Sequence, residues 1–161
     1  TDHIAVGLIA KAAGVDPTKI NYIAYSGGGE ALAAILGNQV TAGVSSVGEF
    51  DAQVKAGTLR LLAVSAPERI AGVEAPTLKE SGLDVELQNW RMVAAAPGLS
   101  DEQKAKVSAD IEKMVKSENW QKQLADKGWS DTYLSGAGFA AQLAKDEAAT
   151  ATVLKDSGLV K

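Results

Sequence analysis

Between residues 20 and 65 the chain changes character every few residues, and this alternation constrains its fold more than any other feature. "INYIAY" (20–25) is rich in β-branched and aromatic residues and predicts a strand. "EALAAILG" (30–37) has helical composition and ends on Gly37. "QVTAGVS" (39–45) predicts a second strand, and "SVGEFDAQVKAG" (46–57) a helix from a Ser46 cap to Gly57. "LRLLAVS" (59–65) predicts a third strand, apolar enough for both faces to be covered. Strand and helix alternating with connections of a few residues predict an α/β sandwich around a largely parallel sheet.

The flanks add helices. Ile4, Leu8, Ile9 and Ala12 recur at three- and four-residue spacing, with Thr1 or Asp2 placed to cap the start and Gly14 the end. After the excursion "APERIAGVEAPTLKESGLD" (66–84), with a short helix expected at Thr77–Glu80, "VELQNWRMVAAAPG" (85–98) reads as extended and closes on a Pro-Gly turn. From Ser100 onward three helical stretches follow, the first with a serine cap, acids in its first turn and apolar Val107, Ile111, Met114 and Val115. The expected division is therefore an α/β lobe over 1–92 and a crossover with C-terminal helices over 93–161.

Composition removes several functions. The net charge is −4 with acids and bases interspersed, so the chain carries no basic stripe for nucleic acid or anionic lipid. It contains no cysteine, which excludes disulfides, thiolate metal sites and cysteine nucleophiles. No apolar run reaches the ~18 residues of a membrane span. His3 is the one histidine, and neither a metal-ligand set nor a Gly-x-Ser-x-Gly elbow accompanies it, so no cofactor, metal or catalysis is expected.

What remains is a set of helix starts. Gly27, Gly28 and Gly29 stand between the first predicted strand and its helix, yet "SGGGEA" has neither the P-loop nor the dinucleotide spacing. Glycines there either make a tight turn or bare backbone N–H groups at the positive end of a helix macrodipole, where a carboxylate or phosphate is favoured. Ser45 and Ser46 occupy a second such junction, and Thr1 and Asp2 a third if a strand precedes them. In a parallel sheet these junctions share one edge, outside the carboxyl ends of the strands, where ligands of open α/β sheets bind. Glu30 and Glu49 would repel an anion if they faced that edge; in the plainer reading both are solvated first-turn acids. Trp90 and Arg91 read as interface and surface ion-pair residues, with ligand contact as the sharper alternative, and Trp120 and Trp129 as core.

Several ordered motifs together resemble a known family. "INYIAYSGGGEALAAILGNQV", "KAGTLRLLAV", "PTLKESG" and "NWRMVAAAPG" match the Gly-Gly-Gly loop, "ALxxLLGGQV", "KAGKLRALAV", "PTLKExG" and "NW…APG" of the Bug-type receptors. These are the solute-binding proteins of tripartite tricarboxylate transporters, and the resemblance covers essentially the whole chain. It implies the second lobe of a type II periplasmic-binding-protein-like receptor, with a three-layer α/β sandwich and a helical C-terminal segment that packs on a first lobe preceding this sequence. It further implies a periplasmic location, an export signal in that preceding part, and no enzymatic activity. The expected ligand is a small carboxylate (a di- or tricarboxylate, an amino acid or an aromatic acid), and the expected partners are the permease subunits. By the same resemblance, that carboxylate meets Thr1, Asp2, His3, Tyr25, Ser26, Gly27, Gly28, Gly29, Ser45 and Ser46, in part through water. The rival reading is the effector-sensing domain of a transcription regulator, which uses similar lobes.

Overall fold

Six helices and one 3-10 turn account for the regular structure of the computed structural model, which describes residues 1–158 and 160. They are α1 (Asp2–Ala12), α2 (Gly28–Leu36), α3 (Val47–Lys55), α4 (Asp101–Val115), α5 (Glu118–Lys127) and α6 (Gly136–Asp156), with the turn at Pro17–Lys19. Apart from the short one expected at Thr77–Glu80, each helix the sequence predicts is present, because its start and stop are local signals. Thr1, Gly27, Ser46, Ser100 and Ser117 stand at the N-caps of α1 to α5. At α4, Ser100 and Gln103 form a reciprocal capping box. Gly14, Gly57 and Gly128 follow helix ends at positive φ, where a side chain is strained.

The expected α/β sandwich is not there. Among the described residues no strand forms, and the one β-bridge is an isolated parallel pair, Val64 with Thr77. Segments 20–25, 39–45 and 59–65 carry strand composition but form no ladder; residues 39–41 and Leu59 are bends, and the remainder is irregular apart from the bridge at Val64. β-propensity records how a residue fits a pleated, half-buried surface, and a strand exists only where a neighbour takes its N–H and C=O groups. The apolar faces of these segments are correspondingly open, with Leu62 64% and Ile23 47% exposed. The short helix expected at Thr77–Glu80 is a turn: the Thr77 N–H donates to Glu80 Oε2 (2.7 Å), and the Glu80 N–H donates to Thr77 Oγ1 (3.0 Å). That is the hydrogen-bond pattern of a capping box, stopped when the chain turns away at Gly82 (φ +85°).

The chain divides into two units, Thr1–Asn89 with Lys145–Lys161, and Trp90–Ala144; Leu159 and Lys161 lie outside the described residues. In the first unit α1 buries the small residues Ala5, Gly7 and Ala10, and Gly7 lies against the end of α6. A Cβ on Gly7 would come within 2.9 Å of Ser157 Oγ and 3.3 Å of Val153 Cγ1, and Lys11 pairs with Asp156. Val64, Ala75, Thr77, Leu78 and Val85 are all buried. There the Leu78 N–H donates to the Val64 carbonyl (2.9 Å), and the Ser65 hydroxyl to the Leu87 carbonyl (2.7 Å). In the second unit Trp90 meets Phe139 edge-on at 6.0 Å, while α4 and α5 bury Val115 and Leu124. Trp129, expected in the core, is instead 49% exposed, with the Lys127 ammonium 5.4 Å from its ring centre.

Candidate functional site

The α2 start answers what the three glycines are for, one residue at a time. Gly27 is the N-cap, in extended backbone open to any residue, and a Cβ on Gly27 or Gly29 would meet nothing within 4 Å. Those two leave their backbone uncovered. Gly28 differs: it is buried on an otherwise exposed loop, because the Glu49 carboxylate lies against it. A Cβ there would fall 2.5 Å and 2.7 Å from the two carboxylate oxygens of Glu49. Tyr25, half-buried, ends the extended run just before Ser26. The Ser26 N–H donates to Glu30 Oε2 at 3.1 Å, so the third residue of α2 closes back over its own loop.

At the α3 start, Ser46 occupies the N-cap without a side-chain cap bond, and the Glu49 N–H donates to the Ser46 carbonyl at 3.0 Å. The Ser45 hydroxyl donates to Glu49 Oε2. One carboxylate thus touches Gly28 and Ser45 together and joins the two loops predicted to share a ligand. Glu30 and Glu49 are exposed first-turn acids, as in the plainer reading, and each carboxylate is also turned back onto the loop that precedes its helix. The signal for this lay in the spacing, since each acid stands three residues after its N-cap, where a carboxylate reaches back to loop donors.

The α1 start is held by different contacts. The His3 ring stacks on Tyr22 with centroids 3.9 Å apart and planes 5° from parallel. Burial raises the Tyr22 phenol above its ordinary 10.0, and the Asp2 charge adds to the shift. Thr1 Oγ1 makes a long contact of 3.5 Å to Asn89 Oδ1. Tyr22 is the residue here that sequence reasoning missed; the aromatic composition of 20–25 was its only trace. In the second unit an Arg91 guanidinium nitrogen donates to the Trp90 carbonyl at 3.3 Å.

Two open concavities, of about 450 and 420 Å³, lie around Asp131–Leu134 and around Arg69 and Glu80, and none of the predicted residues lines either. Among the described residues no group of three or more His, Asp or Glu side chains could hold a metal ion. No helix among them is long and apolar enough to cross a membrane.

Two glycine- and serine-bearing helix starts are thus joined by one carboxylate, and comparison with known proteins gives the family. Residues 1–159 match the tripartite tricarboxylate transporter family receptor profile, and the chain belongs to that family. It is also similar to a solved structure, R. palustris Rpa4515 with adipate, at a TM-score of 0.73 and 22% identity. That match covers 98% of this chain and 52% of the solved one, so the two share a fold over about half the length of that protein. No curated protein matches the sequence.

Proposed function

We propose that this chain is the ligand-binding second lobe of a periplasmic solute receptor, which captures a small carboxylate and passes it to the permease of a tripartite tricarboxylate-type transporter without transforming it. The observation that carries the reading is the joined pair of helix starts in a chain of this receptor family, with the Gly27 and Gly29 backbone uncovered. Helix starts favour carboxylates through unsatisfied N–H groups and the macrodipole. Thr1, Asp2, His3, Tyr25, Ser26, Gly27, Gly28, Gly29, Ser45 and Ser46 form this lobe's wall of the site. The adipate named with the similar R. palustris structure supports a dicarboxylate of about that size.

Residues 93–161 pack on a first lobe, and the exposed apolar side chains where the two segments meet support a covering partner there. Met92 is 57% exposed and Val93 66%, a cost that a covering partner removes. A clamp of two lobes is concave only with both walls present. A melting screen of the receptor carrying this chain against C4–C6 di- and tricarboxylates tests the reading. A ligand at 100 times its Kd adds about 2.7 kcal/mol and raises Tm; a flat response across the panel at millimolar concentration refutes the reading.

A further inference from the structure

Glu49 has a place in this site that its helix position alone does not require. As the third residue of α3 it could close a capping box with the Ser46 N–H, yet its carboxylate accepts from the Ser45 hydroxyl and lies against Gly28, the first residue of α2. Resting on the function proposed above, we propose that Glu49 is an internal competitor for the ligand's carboxylate and sets the affinity of the site. The geometry is that of a ligand already seated: one carboxylate bridges the two helix starts that an incoming acid would use. It covers Gly28, which is buried for this reason while Gly27 and Gly29 beside it are exposed.

Glu49 is itself exposed, so its side chain can swing aside at little packing cost. An arriving carboxylate must displace it or settle beside a like charge, and either lowers affinity. Glu30 adds a second negative charge nearby while holding the Ser26 N–H. The consequence is a receptor tuned below the affinity its backbone donors could supply. Release to a permease then needs only the return of a side chain already within reach.

The test is calorimetric titration of sodium adipate, succinate and citrate into the receptor carrying this chain, as wild type, Glu49→Gln and Glu49→Ala. Glu49→Gln keeps the volume and an oxygen that can accept from Ser45, so it reads the charge; Glu49→Ala removes the competing group altogether. Both variants are expected to bind at least one of these acids about tenfold more tightly, with Tm of the unliganded protein unchanged. Equal or weaker binding by both variants overturns the proposal and makes Glu49 a residue that only fixes the loops, leaving the receptor reading intact. If wild type and both variants all fail to bind, the functional reading itself falls, and this inference with it.

Discussion

At the residue scale, backbone conformation and contact separate glycines that look alike in sequence. Gly27 and Gly29 have space around them, Gly28 faces a movable carboxylate, and Gly43 faces the branched side chain of Ile35. A Cβ on Gly43 would come 3.2 Å from Ile35 Cγ1 and closer still to its Cδ1, with Phe50 behind at 3.8 Å. Gly43→Ala should therefore cost about 1–3 kcal/mol by overpacking, read as a lower urea midpoint at unchanged slope. Stability equal to wild type would show that Ile35 yields freely. Asn38 is the one described non-glycine residue at positive φ (+54°), just beyond α2, where the resembling motif has glycine. Asn38→Ala should lose about 1 kcal/mol because alanine tolerates that conformation less well, and Asn38→Gly should not. Equal losses in the two variants would contradict the left-handed assignment.

At the scale of elements, what could be read from sequence followed how local each signal is. Helix starts came through because a cap and its acceptor lie within four residues, as Ser100 and Gln103 do at α4. Strands did not, because "LRLLAVS" carries its composition regardless of whether anything pairs with it. Only Val64 found a bridge partner, thirteen positions away at Thr77. The Thr77–Glu80 turn shows the same limit from the other side, since a helix-start signature was satisfied without a helix. Its chemistry predicts a pH dependence. The Thr77 N–H, and then Arg69, hold the Glu80 carboxyl below its ordinary 4.5. A lowered folded-state value means that the stabilisation is complete above about pH 4.5 and is lost as pH falls through that lowered value. Wild type should exceed Glu80→Gln in urea midpoint at pH 7, with the gap closing in acid. A gap that persists unchanged at pH 3 would rule out the carboxylate as its source.

At the scale of the whole molecule, family membership was legible from ordered motifs spread along the chain, and the architecture was not. The motifs mark turns and caps that each segment specifies by itself, such as the Pro97–Gly98 turn and the Ser117 cap. A sheet is a property of several segments at once, and those at 20–25, 39–45 and 59–65 form no ladder beyond the single Val64–Thr77 bridge. The candidate site was read from sequence as a set of helix starts, and the contact of Glu49 with Gly28 was not, since nothing in "SVGEF" states that its acid will reach Gly28. Calorimetric titration of adipate into wild-type receptor carrying this chain tests the central claim most directly. A saturable isotherm with one site per chain, abolished when Gly27–Gly29 are replaced together by valines in a protein that still folds, is the predicted result. No heat of binding from adipate, succinate or citrate, or an isotherm indifferent to that replacement, would contradict it.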